Sequence, residues 1–167
     1  MLIKGKAWKF GDSISTDHII PGRFYHLRSD LDELAKHVFE DIAPDFHRKV
    51  MKGDLIVAGQ NFGLGSSREH APLVIKLAGI DAVVAASFAR IFYRNAINVG
   101  LAAIICDVGG IDSGDDLELA VEDGLLRDLT KGMEKRFNPL SPMMASILGE
   151  GGLVQYIRKH GALRVGG

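Results

Sequence analysis

Asn61-Phe62-Gly63-Leu64-Gly65-Ser66-Ser67-Arg68-Glu69-His70 follows the apolar run Asp54-Leu55-Ile56-Val57-Ala58-Gly59. Apolar residues at helical spacing come next: Leu73, Val74, Ile75, Leu77 and Ile80. The run reads as a buried strand and the spacing as a helix, so the decapeptide is a strand-to-helix turn. Its two glycines allow a tight turn and a close approach of backbone to ligand. Ser66 or Ser67 suits the N-cap of the helix. The free N–H groups and the positive end of the helix dipole then converge on one point, a geometry that binds anions. Arg68 adds a planar cation that matches a carboxylate or phosphate. Gly-x-Gly-Ser-Ser alone also suits a plain capped helix; the packing of Gly, Ser, Ser and Arg into one turn is what points to an anion.

Downstream, 81–86 is a second apolar strand and 87–98 a helix capped by Ser87, with Phe88, Ile91, Phe92 and Ile97 buried. Gly100 ends that helix, and 101–106 is a third buried strand. Strand–helix–strand–helix–strand is the pattern of a parallel α/β sheet. Upstream, a strand over 4–10 leads into the polar turn 11–18 and a Pro21-Gly22 stop. A polar, aromatic-bearing loop follows, 23–30. Ser29 or Asp30 then caps a helix over 31–40 with Leu31, Leu34, Ala35 and Val38 inward. Beyond Gly109-Gly110, residues 116–122 alternate as a half-buried antiparallel strand does. Asp123-Gly124 is a hairpin turn, 125–129 returns, and Lys131-Gly132 starts another short pair. Helices over 143–149 and 152–160 close the chain. The expected fold is α/β, with a central, mostly parallel sheet and β-rich flanks. Neither repeat nor linker divides it, which predicts one domain over 1–167.

The chain has 167 residues, 47% hydrophobic and 25% charged, enough for a real core. With a net charge of −1, no basic excess points to nucleic acid and no charge block to a membrane surface. The start lacks a signal-peptide core, and no segment reaches the ~18 apolar residues of a membrane span; a cytoplasmic protein is expected. Cys106, the one cysteine, lies in an apolar run and reads as a buried thiol, so neither an internal disulfide nor a Cys-rich metal site is expected. His18 has no second His or Cys at ligand spacing and reads as structural. Arg90 and Arg94 share one helix face; they read first as surface charges, with pairing to an acidic residue such as Glu69, or a place facing a partner subunit, as the alternatives.

Three ordered segments carry a family resemblance. Asp12-Ser13-Ile14-Ser15-Thr16-Asp17-His18-Ile19-Ile20-Pro21 and Gly63-Leu64-Gly65-Ser66-Ser67-Arg68-Glu69-His70-Ala71 look like the two signatures of the aconitase-superfamily swivel domain. Ser87-Phe88-Ala89-Arg90-Ile91-Phe92-Tyr93-Arg94-Asn95 resembles a third. The chain as a whole resembles the stand-alone small subunits of 3-isopropylmalate dehydratases and, nearly as well, those of homoaconitases. The resemblance implies a swivelling β/β/α fold and a hydro-lyase that moves a hydroxyl to the neighbouring carbon through an alkene. It implies a large partner subunit carrying a [4Fe–4S] cluster, with none on this chain. The cluster's open iron would act as a Lewis acid on substrate. By motif position, Ser66 resembles the general base, Ser67 and Arg68 hold substrate carboxylate, and Thr16 and Asp17 line the site. The loop containing Tyr25, His26, Leu27 and Arg28 resembles the segment that reads the variable substrate group. Leu27 suits an isopropyl group and Arg28 an extra carboxylate, so isopropylmalate and homocitrate-type substrates both stay open. Ile20 stands where aconitases carry serine, a change that fits a less polar substrate.

Overall fold

The computed structural model describes residues 1–66 and 68–161. A seven-stranded sheet forms its centre, in the order β4-β3-β2-β1-β5-β6-β7. The strands are β1 (Leu2–Lys9), β2 (Leu55–Ala58), β3 (Ala82–Ala85), β4 (Ala102–Ile105), β5 (Asp116–Ala120), β6 (Leu125–Asp128) and β7 (Met133–Arg136). The expected fold class is the one found. β1 to β4 run parallel, and β5 to β7 continue the sheet as an antiparallel meander. β1 serves both halves: Ala7 to Lys9 pair with β2, whereas Leu2 to Lys6 pair with β5. β2 and β3 are buried at every position, which is why their sequences are unbroken apolar runs rather than alternating ones.

The helices are α1 (Thr16–Ile19), α2 (Leu31–Ala35), α3 (Phe46–Lys49), α4 (His70–Leu77), α5 (Arg90–Val99), α6 (Pro142–Gly149) and α7 (Leu153–His160). Sequential parallel neighbours need right-handed crossovers, which lay α2, α4 and α5 side by side on one face; α4 packs on both of the others. α6 and α7 pack on α5. Phe39 and Phe46 anchor the core beneath β1, against Phe10 and Trp8.

Several boundaries differ from expectation. The 31–40 helix stops at Ala35; Asp30 does cap it, accepting from the Glu33 N–H at 3.2 Å. Phe39 has φ 59°, outside the helical region, and this turns the chain inward. The 23–30 loop is wound into a 3₁₀ segment, Gly22–Ser29. The polar turn before it contains the single helical turn α1, where Ser15 and His18 cap each other reciprocally. His18 thus has a structural job. Ile91, expected inside, is 54% exposed.

Two buried carboxyls tie β6 to the turn before β5. Asp115 accepts from the Asp112 N–H at 2.9 Å and meets Lys131 Nζ at 3.1 Å. Asp128 Oδ1 accepts from the Lys131 N–H at 3.0 Å, while its buried Oδ2 finds no donor among the described residues. Burial therefore lifts the Asp128 carboxyl above the ordinary 3.8, reinforced by its hydrogen bond to Asp115. The Asp112 N–H, and then the proton of Asp128, hold Asp115 below that value. Above 3.8 and up to the raised value, the folded chain keeps a proton that the unfolded chain has released, so stability falls as pH rises through that window. Asp115 acts with the opposite sign, below 3.8. In Asp128→Asn a permanent N–H donor replaces the proton. Thermal unfolding between about pH 4 and about pH 7 should show the wild type losing stability where the variant does not. Parallel curves would mean that Asp128 ionises freely.

Candidate active site

The loops that follow β1, β2 and β3 lie at the carboxyl ends of adjacent parallel strands, where open α/β sheets bind ligands. Backbone hydrogen bonds zip these loops together past the strand ends. The Ser13 N–H donates to the Gln60 carbonyl (2.7 Å), the Gly63 N–H to Ile14 (2.7 Å) and the Thr16 N–H to Leu64 (2.8 Å). On the other side the Phe62 N–H donates to Ser87 (3.1 Å) and the Ala89 N–H to Phe62 (3.0 Å). The β2 loop is therefore held between its two neighbours.

Gly63 and Gly65 are needed where they stand. Gly63 has φ 85° and lies against Phe92, whose ring would overlap any added Cβ. Gly65 has φ 107°, with the Thr16 hydroxyl 3.2 Å from where a Cβ would be. The Thr16 side chain uses that approach: its buried Oγ1 donates to the Ser66 carbonyl at 3.0 Å. A cavity of about 310 Å³ opens beside this contact. Thr16, Ser66, Arg68, Arg90, Ile91 and Asn95 are among its walls. Ser66 sits exposed at its mouth.

Arg68 is the most constrained polar residue of the site. Its guanidinium donates to the Ile20 carbonyl at 2.5 Å, pairs with Asp17 at 2.5 Å and lies over the Tyr25 ring, 5.1 Å from its centre. The guanidinium is largely covered, at 17%, while Asp17 stays 70% exposed. Thr16, Asp17, Ser66 and Arg68 are thus brought together from positions some 50 residues apart. Ser67 lies outside the described residues. Of the variable-group loop, Tyr25 reaches Arg68, Leu27 packs against the core, and His26 and Arg28 are exposed. Arg28 folds back on its own loop, donating to the Tyr25 carbonyl at 3.3 Å. The Ile20 side chain is buried in the core, so its contribution to the site is its carbonyl.

The helix dipole comes from an unexpected place. α4 begins at His70 with Glu69 as N-cap, so neither Ser66 nor Ser67 opens it. Pro72 sets this start: it has no N–H to donate and is tolerated only in a first turn, which bars a helix begun at Ser67. The helix start that lines the cavity is that of α5, through Ala89, Arg90, Ile91 and Phe92. Ser87, expected to cap α5, instead accepts the Asn61 N–H at 2.8 Å, and Ala89 is the N-cap without a side-chain bond. Arg90, read from sequence as a surface charge, therefore belongs to the cavity wall. Its signal was the two-residue step from Phe88 to Arg90 across the helix start, which periodicity alone does not resolve.

Residues 18–107 match the aconitase C-terminal domain family. The chain belongs to that family. It is 62% identical to the 3-isopropylmalate dehydratase small subunit 2 of Archaeoglobus fulgidus, over 99% of this chain and all of the relative. It is 52% identical to the methanogen homoaconitase small subunit of Methanothermobacter thermautotrophicus, over 95% of this chain and 92% of the relative. The crystal structure of 3-isopropylmalate dehydratase from Methanocaldococcus jannaschii matches with a TM-score of 0.91 at 47% identity, each chain covered to 96%.

Both family signatures thus meet at one cavity. Among the described residues no group of three or more His, Cys, Asp or Glu side chains is arranged to hold a metal. Cys106 is buried, its thiol donates to the Asp107 carbonyl at 3.4 Å, and burial pushes its pKa up, the reverse of what a metal-binding thiolate needs. No helix among the described residues is long and apolar enough to cross a membrane. Thr16→Val keeps side-chain shape but leaves the Ser66 carbonyl without its donor. It should cost about 1 kcal/mol of stability and speed amide hydrogen exchange locally in the 63–68 loop; unchanged exchange there would remove Thr16 from its holding role.

Proposed function

We propose that the chain is the small subunit of a 3-isopropylmalate dehydratase, interconverting 2-isopropylmalate and 3-isopropylmalate by loss and re-addition of water in leucine synthesis, in the cytoplasm. Residues 1–167 act as one swivel unit and turn over substrate only with a large subunit. What chiefly supports this is the convergence of Thr16, Ser66 and Arg68 on one cavity in a chain 62% and 60% identical to subunits of that name.

Ser66 is the proposed general base. Its oxyanion takes the proton from the carbon beside a carboxylate as the neighbouring carbon loses its hydroxyl as hydroxide, leaving the alkene and a protonated Ser66; hydroxide then adds to the carbon that gave up the proton and Ser66 returns the proton to the other carbon, which completes the shift. A free serine is far too weak for this. Its oxyanion needs preorganised positive potential, which cationic wall residues and the first turn of α5 supply at this cavity. Arg68, fixed by Asp17 and Ile20, presents its remaining N–H donors to one substrate carboxylate. Ser67 shares that carboxylate. Thr16 holds the Ser66 backbone so that its hydroxyl faces the reacting carbon.

A [4Fe–4S] cluster on the large subunit would supply Lewis-acid assistance to hydroxyl departure; among the described residues this chain offers it no ligand set. Ser66→Ala should lower kcat at least about a thousandfold, in line with loss of a general base and its proton transfer, while leaving subunit association unchanged. Retention of more than a few per cent of activity would take Ser66 out of the role. Homoaconitase chemistry is the second reading, favoured by the 52% identical methanogen subunit and by Arg28. Arg28→Val separates the two: it should weaken turnover of homoisocitrate and spare 3-isopropylmalate. Equal effects would mean that Arg28 does not read the variable group.

A further inference from the structure

We propose that Arg90 binds the second carboxylate of the substrate and supplies the uncompensated positive charge that draws the dianion into the cavity. The assignment rests on the proposed dehydratase reading and names a recognition element that reading lacks.

A malate-type substrate carries two carboxylates, and each needs a donor set when it leaves water. Two arginines line the cavity, Arg68 and Arg90. Arg68 has spent donors on Asp17 and the Ile20 carbonyl, and its charge is matched at 2.5 Å by Asp17. The Arg68–Asp17 pair therefore orients a carboxylate but adds little net potential. Arg90 is different. The ion pairs formed by Arg23, Arg48, Arg68 and Arg127 leave it out, and among the described residues its guanidinium has no hydrogen-bond partner. It is exposed and lines the same cavity as Ser66.

The backbone adds to this. Arg90 is the first residue of the ten-residue helix α5, whose N-cap Ala89 offers no side-chain bond. The Tyr93 N–H is the first to bond back, to the Ala89 carbonyl at 3.0 Å, so the N–H groups of Arg90, Ile91 and Phe92 have no backbone acceptor among the described residues. A carboxylate held by the Arg90 fork thus lies at the positive end of the helix. Ile91, next in sequence and exposed, leaves an apolar wall beside that carboxylate. Arg94, one turn further on, lies outside this cavity and serves as a control.

The test uses the complex of the two subunits. Arg90→Gln should raise KM for 3-isopropylmalate roughly 10- to 100-fold, the loss expected for a charge-assisted hydrogen-bonded contact, and should flatten the decline of kcat/KM with salt. Arg90→Lys should recover part of the affinity, and Arg94→Gln should stay within about twofold of wild type. A KM for Arg90→Gln within about twofold overturns the assignment. A raised KM that returns to normal at saturating large subunit also overturns it, because Arg90 then serves association. Calorimetric binding of 2-isopropylmalate to the same complexes reads the contact without turnover. Wild-type binding that Arg90→Gln loses, in a complex with no dehydratase activity, upholds Arg90 and overturns the dehydratase reading alone. A wild-type complex that neither binds nor turns over overturns both.

Discussion

The hydrogen-bonded seam between the loops after β1 and β2 is the constraint on which the site depends. Parallel strands pair only along their lengths, and beyond their ends two loops usually diverge. Here they continue side by side for several residues, from Ser13–Gln60 to Thr16–Leu64. The Thr16 hydroxyl then ties down the Ser66 carbonyl. A serine on an exposed glycine-flanked loop would otherwise sample many positions, and misplacement by about 1 Å costs catalytic groups heavily. The seam works because Gly65, at positive φ, carries no Cβ to press on Thr16 across it, while Gly63, also at positive φ, leaves room for the Phe92 ring behind the loop.

Much of this architecture was legible in sequence, for a simple reason. Strands buried on both faces must be apolar throughout, so β2 and β3 announce themselves, as does β4, of which only Ile105 is exposed, and the alternation of β5 marks the change to a half-buried meander. Tertiary contacts decided the rest. Ser87 has good N-cap chemistry, yet the Asn61 N–H competes for its hydroxyl and wins because the loop seam brings it to 2.8 Å. Helical spacing put Ile91 inside, but α5 begins at the cavity, so Ile91 lies on the cavity wall while Phe92 takes the buried face of the first turn. Pro72 did carry a readable signal for the start of α4, which the serine-rich turn before it masked. Thr16 and Ser66 could be joined from sequence by family pattern alone; no periodicity links residues 50 positions apart.

The charges of the site divide into two kinds. Arg68 is nearly buried and wholly engaged, so it behaves as rigid scaffolding with a few donors left over. Its stacking on Tyr25 extends that rigidity to the 3₁₀ segment Gly22–Ser29. That contact is the physical link between the 3₁₀ segment and the serine loop. Arg90 is exposed, unpaired among the described residues and mounted on a different helix. In the proposed reading, orientation falls to Arg68 with Asp17 of α1, and attraction to Arg90 on α5.

If, as proposed, a large subunit completes the site, exposure gives a physical reason for the division. Ser66 and Arg90 face water, and a charge about 4 Å from an oxyanion is worth about 1 kcal/mol at the dielectric of water but about 4 at an effective value of 20. The cavity walls of this chain are therefore arranged for a potential that develops only when something excludes solvent from the mouth. A single polypeptide closed over Ser66 would have that potential always, and with it a permanently desolvated guanidinium at Arg90 lacking a counter-charge. Leaving the mouth open in the free chain keeps Arg90 hydrated, and the desolvation cost falls due only when a substrate dianion is present to offset it.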